Sequence, residues 1–224
     1  MYIDFFFPES TRSDEDRRQR ADDPRRDAHV TSSYLRFGYD YFDNPELVIG
    51  YGGYKYDGRY KPAAENMCRY YGLVPGNSVL EIGCAKGFVL TEFRNLGMNV
   101  TGSDLSAYAL QHISPDLQSR AVRSDVVSLP FSNLQFDLVL AKEVLPHVPE
   151  SFVARAVLEC MRVSKKAIFI EIQTGRTERE LEYLRKWDAT HLTLRPPEWW
   201  DTIFSTVGYH GDVHYKILIP ENRA

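Results

Sequence analysis

The nine residues Val79-Leu80-Glu81-Ile82-Gly83-Cys84-Ala85-Lys86-Gly87 constrain the fold of this chain more than any other stretch. Val79, Leu80 and Ile82 form a short apolar run between the turn residues Pro75-Gly76-Asn77 and Gly83, the pattern of a buried parallel strand. Beyond Gly87, the residues from Phe88 to Leu96 carry helical spacing. A strand, a glycine-punctuated turn and a helix N-terminus bring backbone N–H groups close to a ligand. A second apolar strand, Met98 to Gly102, ends in Ser103-Asp104. An acidic residue about twenty positions past such a turn, at a strand tip, is placed to accept hydrogen bonds from a ribose.

The alternation continues downstream. Ser106 caps a helix to about Ile113, and Arg120–Ser124 forms a third strand ending at Asp125. Phe136–Leu140 forms a fourth, Glu150–Arg162 a helix, and Ala167–Ile172 a fifth strand. Thr177–Lys186 and Pro197–Val207 then read as helices and Val213–Ile219 as a last strand. Strand and helix in turn specify a doubly wound, mostly parallel α/β sheet with helices on both faces.

Before this domain the chain differs in character. From Arg12 to Asp27 six arginines meet six acidic residues, so residues 11–29 read as a mobile segment or a solvated helix with little to bury. Residues 34–71 hold nine of the fourteen tyrosines, including the run Gly50 to Tyr60. That run reads equally as a lid laying tyrosines over a ligand or as a packed Ω-loop. The division expected is residues 1–60 as charged arm and Tyr/Gly-rich lid, and 61–224 as ligand-binding domain.

The charge of −4 disfavours a nucleic-acid partner. No apolar run reaches membrane-spanning length, and Phe5-Phe6-Phe7 lacks the flanks of a signal peptide. Three scattered cysteines (Cys68, Cys84, Cys160) fit neither a disulfide framework nor a zinc site, so no metal is expected and a reducing cytoplasm is.

With these motifs assembled, the chain resembles a class I S-adenosylmethionine-dependent methyltransferase. The resemblance rests on V-L-E-I-G-C-A-K-G at 79–87, S-D-L at 103–105, S-D-V-V-S-L-P-F at 124–131 and F-D-L-V-L-A-K-E-V-L-P-H-V at 136–148. The Tyr/Gly stretch, with K-W-D-A-T-H-L-T at 186–193 and P-E-W-W at 197–200, is similar to a bacterial subgroup acting on saccharides and small metabolites. The resemblance implies a Rossmann-like sheet and S-adenosyl-L-methionine as cofactor. It implies Gly83, Cys84, Ala85 and Gly87 along the methionine part, Asp104 at the ribose and Leu105 beside the adenine, with Glu81, in place of the commoner Asp, also cofactor-binding. Asp125 and Val126 fall at the adenine edge, and Ala141 and Lys142, just past the fourth strand, at the ammonium. Ala85 departs from the family's usual glycine, which matters only if that position takes positive φ.

Methyl transfer is then displacement at an activated methyl, with positioning and water exclusion as the protein's main contributions. His147 is a candidate general base for a hydroxyl nucleophile, and Glu143 competes with it. Tyr54, Arg59, His191 and Trp199 are candidate acceptor-binding residues, although His191 and the tryptophans also suit core packing. The expected reaction is methylation of an oxygen or nitrogen on a small-molecule acceptor, a sugar or secondary metabolite, with neither nucleic acid nor membrane as partner and a homodimer as the assembly to test. A protein or peptide methyltransferase and a non-catalytic cofactor-binding partner are the alternatives. A nicotinamide dehydrogenase is disfavoured because its G-x-G-x-x-G/A turn is absent.

Overall fold

A computed structural model describes residues 4–6 and 12–221; Phe7, Thr11 and residues 222–224 lie outside them. In chain order the helices before the sheet are α1 (Asp14–Ala21), α2 (Arg26–His29), α3 (Ser32–Leu35), α4 (Tyr39–Phe42) and α5 (Lys61–Tyr71). There follow β1 (Ser78–Ile82), α6 (Phe88–Asn95), β2 (Asn99–Asp104), α7 (Ala107–Gln111), β3 (Ala121–Arg123) and β4 (Phe136–Lys142). The chain closes with α8 (Glu150–Val163), β5 (Ser164–Thr174), α9 (Glu178–Trp187), α10 (Pro197–Val207) and β6 (Asp212–Ile217).

The six strands form one parallel sheet in the order β3-β2-β1-β4-β5-β6. Val79, Leu80 and Ile82 are buried because β1 lies centrally, with β2 on one side and β4 on the other. The strand order reverses between β1 and β4, and the carboxyl ends of strands at such a reversal open into a ligand crevice. Two apolar clusters sandwich the sheet. One gathers Leu80, Val139 and Ile170 with α8 and α10; the other gathers Val79, Leu140 and Phe169 with α5 and α6.

β4 is two residues longer than its apolar run predicts, so Ala141 and Lys142 end the strand instead of following it. Register explains how a lysine is accommodated there. Lys142 pairs across with Glu171 of β5, and Glu171 with His214 of β6, so opposite charges line up across three strand ends. Lys142 Nζ lies 3.4 Å from Glu171 and 3.2 Å from Glu143, and His214 Nδ1 lies 2.8 Å from Glu171.

The charged N-terminal segment departs from expectation. It is not merely solvated: Ala21 and Arg26 are buried, and Ala21 joins Leu184, Leu218 and Ile219 in a small apolar cluster. α1 concentrates Asp14, Glu15 and Asp16 in its first turn, closed by a capping box with Ser13, and its arginines follow. Arg17 and Arg18 donate to the carbonyls of Leu218 and Pro220, fastening the segment across the end of the sheet. No helix among the described residues is long and apolar enough to cross a membrane.

Candidate functional site

A cavity of about 910 Å³ opens at the carboxyl ends of β1, β2 and β4, a volume within the range of small-molecule sites. Glu81, Gly83, Cys84, Ala85, Asp104, Leu105, Asp125, Val126 and Lys142 line it. Gly87 and Ala141 do not. Gly87 starts α6 with φ of 76°, and a Cβ there would press on Leu117 and Ile113, so its role is packing. Ala141 is fully buried against the α8 side of the sheet.

The loop after β1 is shaped by backbone conformation. Gly83 takes φ of 70°, and a side chain there would collide with Val144. Ala85 also takes positive φ, 48°, so the replacement of the usual glycine carries a cost of about 1 kcal/mol or more. Asp104 helps to offset it. Its Oδ2 accepts the Ala85 N–H at 2.7 Å and its Oδ1 the Ser106 N–H at 2.7 Å, joining the loop to the start of α7. Burial raises the Asp104 carboxyl above its ordinary range despite both N–H groups.

Glu81 supplies a further clue. It is buried, and its Oε2 has no hydrogen-bond partner among the described residues. Burial outweighs the nearby Lys142 charge and drives its carboxyl well above the usual range. A buried acceptor at a cavity wall fits a ligand that brings a cationic donor. Asp125 accepts the Val127 N–H at 3.1 Å within its turn and also faces the cavity.

The tyrosine-rich segment is tied to this loop. Lys86, buried, pairs with Asp43 and donates to the Tyr54 carbonyl at 3.0 Å, while Asp43 accepts the Tyr108 hydroxyl at 2.8 Å. Tyr54 packs its ring on Phe88 at 4.6 Å and lines the cavity with Tyr51 and Tyr60. Arg59 lines it too, held by Asp57.

His147 also lines the cavity, in the short 3-10 turn after β4. Its Nδ1 lies 3.0 Å from Thr190 Oγ1 and 3.3 Å from the Thr190 carbonyl. Thr190 Oγ1 donates to Asp188 Oδ1 at 2.6 Å, and the Tyr34 and Tyr41 hydroxyls donate to the same carboxylate at 2.8 and 2.9 Å. A carbonyl only accepts, and the threonine proton is already committed, so in the neutral imidazole Nδ1 carries the proton and Nε2 the lone pair. Burial would raise the Asp188 carboxyl, but the two imidazoles and the Thr190 hydrogen bonds hold it at about 2. His147, Asp188 and His191 lie close enough to share an ion. With the Thr190 N–H included, the carboxylate accepts four hydrogen bonds.

Glu143 sits at φ of 56° with its carboxylate 2.6 Å from Lys216 and 3.2 Å from Lys142, committed to ion pairs. His191 packs against His147 with the rings tilted and their centroids 4.8 Å apart, and does not line the cavity. Trp199 is also removed from the cavity: it meets Trp200 edge-on in the cluster beneath α10, where apolar area is buried. Trp187 lines the cavity instead. Sequence reasoning missed Asp188, Thr190, Tyr34 and Tyr41; the D-A-T-H spacing at 188–191 was the available signal.

Burial pushes His191 down to about 4, only partly opposed by Asp188. Between its ordinary value of 6.5 and about 4 the unfolded chain therefore binds the extra proton. This stability contribution is present above pH 6.5 and is lost as the pH falls towards 4, on the order of 3 kcal/mol in all. Urea denaturation near pH 7 and near pH 4 should show a smaller acid loss for His191→Gln than for the unaltered protein.

A family model described as a methyltransferase domain matches residues 80–170. The ubiquinone biosynthesis O-methyltransferase of Paracidovorax citrulli is 33% identical over 113 residues, 46% of this chain and 46% of that protein. The 2-methyl-6-phytyl-1,4-hydroquinone methyltransferase of Synechocystis is 26% identical over 144 residues, 60% of this chain and 44% of that protein. The chain thus spans about half the length of these relatives. The crystal structure of a SAM dependent methyltransferase from Archaeoglobus fulgidus shares the fold, with a TM-score of 0.54 and 22% identity over 67% of this chain and 69% of that one.

Proposed function

Because the chain belongs to the class I S-adenosylmethionine-dependent methyltransferases, we propose that it transfers a methyl group from S-adenosylmethionine to a hydroxyl oxygen of a small-molecule acceptor. The cofactor, when bound, supplies a sulfonium methyl already activated for displacement. The residues at the strand ends fit it. Asp104 would offer its remaining carboxylate lone pairs to the ribose hydroxyls, Asp125 and Val126 would meet the adenine, and the unpartnered Glu81 oxygen would suit the ammonium. Gly83 and Ala85 keep the loop backbone close to the ligand.

The observation that carries the hydroxyl reading is the His147–Thr190–Asp188 relay. An alcohol needs its proton removed as it attacks, whereas a neutral amine does not. His147 Nε2 takes that proton, and the Asp188 charge, transmitted through Thr190, stabilises the imidazolium that forms. Tyr34 and Tyr41 hold Asp188 in place, and with Tyr51 they give the cavity faces suited to a ring-shaped acceptor, a sugar or an aromatic.

Calorimetric titration with S-adenosylhomocysteine and with NAD, followed by turnover of S-adenosylmethionine against a panel of hydroxylated and amino compounds, tests this. S-Adenosylhomocysteine should bind, NAD should not, and the products should carry the new methyl group on oxygen. Binding of NAD, or transfer to amines alone, contradicts it.

A further inference from the structure

The part of the cavity lining contributed by α1 and the residue before its cap carries positive charge of an unusual kind. Arg12, Arg17 and Arg20 all line the cavity. Among its cations, Arg17, Arg59, Lys142 and Lys216 each have a carboxylate within ion-pair distance. Arg20 differs. Its Nη2 donates to the Gly50 carbonyl at 2.6 Å and its guanidinium covers the Trp187 ring at 5.8 Å, and among the described residues no carboxylate pairs with it. Arg12 adds a second guanidinium on the same wall, with Nη2 3.5 Å from the Tyr51 carbonyl.

Behind them Arg26 is buried, donating to the carbonyls of Arg20, Val48 and Trp187. Burial, then the charges of Arg12 and Arg26, depress Arg20 to about 10. A partly buried cation beside like charges is costly unless an anion joins it. A guanidinium fork with most of its five donors uncommitted matches the paired oxygens of a phosphate or a carboxylate.

We propose that Arg20, assisted by Arg12, is a subsite for an anionic oxygen group on the methyl acceptor, so that the acceptor is a hydroxyl compound bearing a phosphate or carboxylate. Its place in the chain assigns it to the acceptor: Arg20 covers Trp187, and the next residue is Asp188, the anchor of the relay that ends at His147. An anion held there sets the acceptor beside the base. The assignment to an acceptor rests on the methyl-transfer reading; the anion site itself does not.

The test titrates the full chain, saturated with S-adenosylhomocysteine, with inorganic pyrophosphate in one arm and malonate in the other at fixed ionic strength. One or both should bind, and the better arm distinguishes a phosphate-bearing from a carboxylate-bearing acceptor. Arg20→Gln should weaken that binding by about tenfold to a hundredfold, with S-adenosylhomocysteine affinity unchanged and Arg20→Lys recovering part of the loss. Arg12→Gln gives the same readout if Arg20→Gln unfolds, at a smaller loss. Equal binding by wild type and variants, or no saturable binding in either arm, overturns the subsite. So does competition between either anion and S-adenosylhomocysteine, which would assign the arginines to the cofactor's own carboxylate. Failure to bind S-adenosylhomocysteine overturns the methyl-transfer reading and leaves the anion titration of the free protein to decide the subsite alone.

Discussion

Replacement of Asp104 by alanine is expected to raise the dissociation constant for S-adenosylhomocysteine at least about a hundredfold and to destabilise the chain by about 2–4 kcal/mol. Both effects come from one carboxylate. In the free protein it accepts the Ala85 and Ser106 N–H groups, each at 2.7 Å, and truncation strands two donors at once. Ala85 holds positive φ without glycine's freedom, so loss of its hydrogen bond releases the loop towards ordinary conformations that no longer follow the ligand. On the proposed placement of the cofactor, its ribose hydroxyls lose their acceptor in the same step. Asp104→Asn separates the contributions, because an amide keeps one acceptor but turns an N–H₂ towards one of the two backbone donors. Denaturation melts with and without S-adenosylhomocysteine report stability and affinity together, since a ligand that binds only the folded chain raises its melting temperature. A normal ligand-induced rise in Asp104→Ala would mean that the end of β2 does not contact the nucleoside.

The sheet was legible because parallel strands buried on both faces leave short, closely bounded apolar runs, and Val79–Ile82 and Phe136–Leu140 are such runs. The strand-end acids followed from spacing along the same elements. Lys142 hid the end of β4, since a lysine reads as a strand terminator until Glu171 is found alongside it in register. The charged N-terminus misled for a related reason. Its composition cancels to zero, but α1 puts its acids in the first turn and its arginines after them, so the signs separate in space. The relay was harder still: His147 and Thr190 are 43 positions apart, and only tertiary structure brings them to 3.0 Å. Trp199 and Trp200 show the converse, a conspicuous cluster that belongs to the core beneath α10.

Loss of the proposed base should be the most informative change at the chemical step. His147→Ala is expected to lower kcat by about 10²- to 10⁴-fold, the usual worth of a positioned proton acceptor, with S-adenosylhomocysteine affinity unchanged. The magnitude alone does not separate a base from a residue that shapes the wall, since His147 also packs on Phe37 and His191. Thr190→Val makes that separation. Valine keeps the shape of threonine and leaves Tyr34, Tyr41 and the position-190 N–H on Asp188, but it breaks the only hydroxyl path between that carboxylate and Nδ1 among the described residues. The imidazolium then loses part of its stabilisation. The expected result is a fall in kcat of about tenfold to a hundredfold and movement of the acid limb of the kcat–pH profile to lower pH. A structural role would change kcat or stability without moving that limb. An unmoved limb in Thr190→Val, with His147→Ala still inactive, would remove Asp188 from the reaction and leave His147 acting alone.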